Sequence, residues 1–320
     1  MATRAQRDAR VISCKPPYPS EVALKEHYFP VPLIVAYGMG VDSTAVLVEF
    51  ARMGIRPDMI LFADTGDEKP DTYAYANEIG RFCKAVGFPL PTTVCYPGPG
   101  RGQFANRPYT SLEGQCLAQR DLPSLAYGRK GCSLKWKRDP QNDYVAGWRP
   151  ALETWDAGGR CIKVIGYDAG PADARRSKIA DDDRYVYWYP LREWGWDREQ
   201  CKAEIASSGL RVPVKSACFY CPASKPHEIT WLVRNYPDLA DRIVAMERNA
   251  DPAKTRSIDG LWRKPTRCRP GSMSEWIKRV RKADAAGKGS KYAGFLEESD
   301  APAFCDLFDD EAIQDGCVSG

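Results

Sequence analysis

An apolar run, Leu33 to Ala36, leads into Tyr37-Gly38-Met39-Gly40-Val41-Asp42-Ser43-Thr44, and Ala45, Val46, Leu47, Val48 and Phe50 follow at once. The order reads as strand, glycine turn and buried helix, the helix running near Ser43 to Met53. Gly38 and Gly40 let the backbone turn with positive φ and keep side chains out of the way. The amides at the helix start then point into the turn, where the macrodipole favours an anion. Ser43 and Thr44 add hydroxyl donors, so a phosphate or pyrophosphate would be held well there. The plainer reading is a strand–helix turn capped by Asp42. The stretch lacks the third glycine of the dinucleotide fingerprint and the Gly-Lys-Ser/Thr of a Walker A loop.

A second short apolar run, Met59 to Ala63, ends in Asp64-Thr65-Gly66-Asp67-Glu68, and Pro70 opens another helix near Asp71 to Val86. Further strands are expected at Thr92–Tyr96, Cys161–Tyr167 and Tyr185–Leu191, with helices near Pro140–Trp148 and Arg198–Ser208, the latter capped by Asp197. Strands alternating with helices predict an α/β fold, a doubly wound and mostly parallel sheet. In such sheets ligands bind beyond the carboxyl ends of the strands. The glycine loop and the Asp64–Glu68 segment both fall there, so they should face one crevice.

At 320 residues the chain suits one large or two ordinary domains. With 43% hydrophobic and 28% charged residues, it has the balance of an ordinary globular protein. No apolar run approaches membrane-spanning length, and the polar, basic start Met1–Arg10 does not read as a secretory signal, so a cytoplasmic protein is expected. Residues 1–30, broken by Pro16, Pro17, Pro19 and Pro30, read as an N-terminal arm. The stretch 97–111, with Pro97-Gly98-Pro99-Gly100-Arg101-Gly102, reads as a surface loop or lid whose Arg101 and Arg107 could reach a phosphate.

Twelve cysteines in a chain of this size and setting read as thiols rather than a disulfide framework. Cys218-Phe219-Tyr220-Cys221 places two thiolates on one side of a turn, which fits a zinc knuckle, a redox dithiol or half an iron–sulfur site. Cys132, flanked by Arg129, Lys130, Lys135 and Lys137, is the best third ligand, because a basic flank favours the thiolate. Cys268, between Arg267 and Arg269, is the best fourth, with Cys116 and His227 behind them. The spacing does not separate zinc from iron.

Gly38-Met39-Gly40-Val41-Asp42-Ser43 resembles the S-G-G-x-D-S loop of the PP-loop (ATP pyrophosphatase) superfamily, with Gly38 and Met39 in place of the first Ser and Gly. Phe62 to Tyr73 closely resembles the F-x-D-T-G-x-E-x-P-x-T-Y segment of phosphoadenosine phosphosulfate (PAPS) reductase-like proteins. The resemblance implies an adenine nucleotide alpha-hydrolase-like domain over residues 31–225. It implies ATP or PAPS with Mg2+, bound around Ala36, Gly38, Gly40, Asp42, Ser43, Thr44, Phe62, Asp64, Thr65, Gly66 and Glu68. Gly166 with Arg175 or Arg176 resembles the family's strand-end glycine and nucleotide-contacting arginine. Asp42, Ser43, Asp64 and Lys135 are the residues expected to act in catalysis. Cluster-binding reductases of this group pair a C-C doublet with a later C-x-x-C, so a [4Fe–4S] cluster on Cys132, Cys218, Cys221 and Cys268 is implied, with zinc as the alternative.

Residues 226–292 read as a basic, cysteine-containing helical region and 293–320 as an acidic tail. The cations of 254–291, with Trp262 and Trp276 interleaved, could dock a DNA or RNA acceptor. Three activities remain open. The first is ATP-dependent activation coupled to sulfur transfer onto a nucleic acid or nucleotide, with a sulfur donor protein. The second is a PAPS or adenosine phosphosulfate reductase releasing sulfite, although the reductase motif E-C-G-[IL]-H is absent. The third is a non-catalytic nucleotide- or DNA-binding protein on the same fold.

Overall fold

The structure is a computed structural model and describes residues 31–96, 109–174, 176 and 178–288. The N-terminal arm, most of the 97–111 loop, Arg175 and the acidic tail lie outside the described residues. Packing divides the chain into two compact units. One holds the described residues up to Asp64, Glu68–Cys95 and Arg138–Ser216; the other holds Thr65–Asp67, Tyr96–Lys137 and those from Ala217 on. This division departs from the sequential boundary read at 225, because residues 96–137 and 217–225 pack with the C-terminal helices.

The first unit is built on five parallel strands: β1 Leu33–Ala36, β2 Met59–Asp64, β3 Thr92–Cys95, β4 Cys161–Ile165 and β5 Tyr185–Trp188. Their order is β3-β2-β1-β4-β5. The near-continuous apolar strands are those of a sheet covered on both faces. Val35, Ile60, Phe62, Ile162 and Val164 face the helices Val41–Met53, Pro70–Val86 and Arg198–Ser207. Ile34, Met59, Leu61, Val94 and Cys161 face Val145 and Ala151, from the helices Asp139–Ala146 and Arg149–Asp156. The fold is therefore a doubly wound α/β sheet, as the alternation of elements predicts. β5 stops at Trp188 rather than Leu191, because Pro190 opens a short helical turn. Gly54 and Gly87, at φ 70° and 74°, end the first two helices in the left-handed conformation.

The second unit is helical. Leu112–Gln119, Pro226–Asn235, Pro237–Asn249 and Met273–Ala285 enclose a core that includes Trp136, Tyr220, Leu232, Ile243, Trp262 and Trp276. The C-x-x-C turn belongs to this unit, and Cys218 is part of its core.

Candidate functional site

The order of the strands reverses between β1 and β4, and the carboxyl ends at such a reversal are where sheets of this kind bind ligands. The loop Tyr37–Gly40 leaves β1 here. Its helix begins at Val41 with Gly40 as N-cap, not Asp42. Met39 adopts φ 56°, a left-handed conformation that bulky residues seldom take. The loop thus keeps a glycine-type backbone at the position where this chain carries Met. The Ser43 hydroxyl stays inside the loop, accepting from the Gly38 amide at 3.1 Å and donating to the Gly40 carbonyl at 3.3 Å. Thr44 is fully buried and its hydroxyl bonds that of Tyr37 at 3.2 Å. Phe62 is likewise in the core, so positions 44 and 62 can meet a ligand only through backbone. Ala36 is the last residue of β1 and leads into the loop.

Released from capping, the Asp42 carboxylate joins two acids that sequence reasoning did not single out. Among the described residues, one group of three metal-ligating side chains brings its ligand atoms within 4.8 Å of one another: Asp42, Asp168 and Asp173. Asp168 and Asp173 are buried. Burial raises the Asp42 pKa to about 6; Arg198, whose Nη1 lies 3.4 Å from Oδ1, opposes the rise, and the two neighbouring aspartates add to it. Asp173 is raised by burial too, against the pull of Arg176, whose Nε lies 3.0 Å from Oδ1. Arg192 donates to the carbonyls of Asp173 and Arg176 and stacks over Tyr167 and Tyr189, which fixes the turn that carries Asp173. Gly166 has a steric reason: a Cβ there would lie 3.0 Å from the Ser43 nitrogen, so β4 presses directly on the start of the helix.

Asp64 and Glu68 close the other lip. The Tyr73 hydroxyl donates to Asp64 Oδ1 at 2.8 Å and accepts from the Glu68 amide at 3.2 Å, so one phenol fixes both. Thr65 and Gly66 belong to the second unit, where the Thr65 carbonyl accepts from the Leu112 amide at 3.1 Å and Gly66 lies against Ser111.

In that unit Thr65 Oγ1 lies 3.1 Å from Cys218 Sγ. The Phe219 amide donates to the Asp67 carbonyl at 3.0 Å, and the Tyr220 hydroxyl donates to Asp67 Oδ2 at 2.7 Å. The Cys221 amide closes the turn on the Cys218 carbonyl at 2.9 Å. Cys132 and Cys221 pack against the same core as Cys218 and Cys116, and the Cys132 amide donates to Ser124 Oγ at 2.8 Å. Burial pushes the Cys116 thiol far above its ordinary range, which suits a core residue rather than a thiolate ligand. Cys268 is disulfide-bonded, whereas Cys132, Cys218 and Cys221 are free thiols. Tetrahedral zinc, with Zn–S near 2.3 Å, holds its sulfurs roughly 3.8 Å apart. Among the described residues no cysteine group reaches such spacing. A four-iron core, whose ligands sit on different irons, does not require that spacing.

Lys135 belongs to the second unit. Its ammonium donates to Gln115 Oε1 at 2.6 Å and lies 4.7 Å from the Tyr96 ring and 5.4 Å from that of Tyr109. Trp262 and Trp276 are buried with their ring centroids 6.1 Å apart, and their indole N–H groups bond the Ser224 carbonyl and Thr230 Oγ1. They offer no face for base stacking. Arg279 pairs with Glu275, Arg281 with Asp241 and Lys264 with Asp259, so part of the expected basic stripe is neutralised within the fold.

No family model matches the sequence, and no curated protein matches it. The structure is similar to that of phosphoadenylyl-sulfate (PAPS) reductase from Candida auris in its phosphate complex, with a TM-score of 0.39 and 16% identity, over 67% of this chain and 90% of that one. No helix among the described residues is long and apolar enough to cross a membrane.

Proposed function

We propose that the first unit binds an adenine nucleotide with Mg2+, and that the protein is a PAPS reductase-like PP-loop enzyme coupling ATP-dependent activation to sulfur transfer. One observation carries the reading. The glycine loop and the carboxylates of Asp42, Asp168 and Asp173 meet where the strand order reverses. Amides of the loop and of the helix start favour phosphate oxygens. Three carboxylates so close repel one another, and a divalent cation relieves the repulsion while bridging to those phosphates.

An acceptor oxygen or nitrogen would attack the α-phosphorus as the α–β phosphoanhydride bond breaks and pyrophosphate leaves with the bonding pair. Arg176 and Arg198, beside Asp173 and Asp42, replace Lys135 as the cations that stabilise the leaving charge. Asp64 and Glu68, held by Tyr73, bound the nucleotide from the other lip. In the second unit Cys132, Cys218 and Cys221 would hold an iron–sulfur cluster, which when bound supplies a site for sulfur delivered by a donor protein. The chain's own contribution there is to fix the turn through Asp67 and to present the Thr65 hydroxyl to Cys218 Sγ. A nucleic-acid or nucleotide acceptor remains the proposed partner, docked by cations of 254–291 without aromatic stacking.

The test uses full-length protein purified without oxygen. Iron and sulfide are quantified, and ATP with Mg2+ is titrated and assayed for pyrophosphate release over RNA and DNA acceptors. ATP binding with acceptor-stimulated release, lost in Asp42→Asn, is expected. Sulfite release from PAPS with thioredoxin would replace the reading with a reductase, and nucleotide binding without any turnover would replace it with a binding protein. Absence of binding to any adenine nucleotide would end it.

A further inference from the structure

The two hydroxyls that the sequence nominates for phosphate are both turned inward: Ser43 braces the loop, and Thr44 bonds Tyr37. A third hydroxyl reaches the loop from far along the chain. Ser216 Oγ donates to the carbonyl of Gly38, and Glu68 Oε2 lies 3.5 Å away. Its Cβ stands 3.6 Å from the point where a side chain on Gly40 would begin. Ser216 therefore lies over the stretch of loop bounded by the two glycines. The preceding residue is tied down as well, since Lys69 Nζ donates to the Lys215 carbonyl at 3.4 Å.

We propose that Ser216 is the phosphate-binding hydroxyl of this loop, supplied from a distant part of the same chain because position 38 carries no side chain. The assignment rests on the nucleotide reading given above. A serine hydroxyl is a rotor. It can turn from the Gly38 carbonyl to a phosphate oxygen without moving Cβ, exchanging a neutral hydrogen bond for a charge-assisted one. Glu68 is the second acceptor within reach, so the same rotation frees its carboxylate toward the lip. Glycine at 38 and 40 leaves the space that Ser216 covers. A serine at 38 would itself be tolerated, since a Cβ there meets only Ser43 Oγ at 3.8 Å and the backbone is not left-handed.

The experiment titrates ATP with Mg2+ by calorimetry into full-length wild type, Ser216→Ala, Ser216→Thr and the double variant Gly38→Ser/Ser216→Ala, with the melting temperature of each recorded. A hydrogen bond to a charged group is worth about 1.5–3 kcal/mol, so Ser216→Ala should weaken binding by about tenfold or more. Ser216→Thr should stay within about threefold of wild type, and the double variant should recover most of the loss. Unchanged affinity in Ser216→Ala, beside binding by wild type, overturns the Ser216 assignment alone. A loss that tracks a fallen melting temperature and is not relieved by Gly38→Ser shows a merely structural serine and also overturns it. Failure of wild type to bind ATP overturns both the assignment and the nucleotide reading.

Discussion

Lys163 lies in the middle of β4, paired with Ile34 of β1 and Tyr187 of β5, and is 3% exposed. Its ammonium donates to Asn142 Oδ1 at 2.7 Å and stands 5.1 Å from the Tyr185 ring. Burial lowers its pKa from 10.5 to about 8; Asp182 opposes the fall and Arg138 adds to it. A lysine whose folded pKa lies below its unfolded one binds its proton less tightly in the native state. Unfolding then takes up a proton between about pH 8 and 10.5, stability rises across that window, and the full penalty is present below about pH 8. A drop of about 2.5 units corresponds to about 3 kcal/mol. Lys163→Met removes that penalty and keeps the apolar stem. Against this, it strands the Asn142 oxygen, at about 1 kcal/mol, while the cation–aromatic contact is already contained in the net fall of the pKa. The variant should be more stable than wild type by about 2 kcal/mol at pH 7, and less stable by about 1 kcal/mol above about pH 11, where the lysine is largely uncharged on both sides of the equilibrium. Urea denaturation at the two pH values, followed by tryptophan fluorescence, measures both differences. Equal destabilisation at both would show that the buried ammonium carries no desolvation penalty, and the reasoning would fail.

Other predictions concern the crevice. Because the Asp42 pKa is raised to about 6, its ionisation opposes folding above that pH and not below the unfolded value near 3.8, so stability falls as pH rises through this window. Millimolar Mg2+ should therefore raise the melting temperature at pH 7.5, have little effect at pH 4.5, and do nothing in Asp42→Asn; equal shifts at both pH values would place the ion elsewhere. Met39→Gly and Met39→Ala both lose a buried side chain, but only glycine relieves the φ of 56°, so the glycine variant should be the more stable by about 1 kcal/mol, reversing the usual order of the two residues. Gly166→Ala puts a methyl 3.0 Å from backbone and should destabilise by about 1–3 kcal/mol while weakening ATP binding, whereas Gly80→Ala, with open space around it, should do neither.

What the sequence made legible follows from how local each signal is. Short apolar runs bounded by glycine and proline announced the five strands, and the alternation with helices fixed the parallel sheet. Met273, Trp276, Ile277 and Val280 repeat at three- and four-residue intervals, so the helical period already assigned Trp276 to a core face, where the structure puts it. Reading the tryptophan through the surrounding charge hid that period. Asp168, Asp173 and Arg198 carry no motif. They meet Asp42 only because β4 pairs with β1 and the helix from Arg198 packs on the one from Val41, which depends on strand order rather than spacing. Ser216 is more remote still, 178 residues from the carbonyl it bonds.

The Asp64–Glu68 segment shows how one contiguous motif comes to serve two structural units. Asp64 and Glu68 remain with the sheet, where Tyr73 holds both, while Thr65, Gly66 and Asp67 pack with the helical unit and anchor the cysteine turn. Asp67 is buried there with Oδ1 left without a hydrogen-bond partner and Arg242 Nη2 4.0 Å away, and burial raises its pKa against the pull of the Glu113 amide and Tyr220. The peptide bonds on either side of this tripeptide are the same ones that position Asp64 and Glu68. The backbone that presents Asp64 and Glu68 therefore runs without a break into the one that sets Thr65 against Cys218, which is why the five residues read as one motif in the sequence.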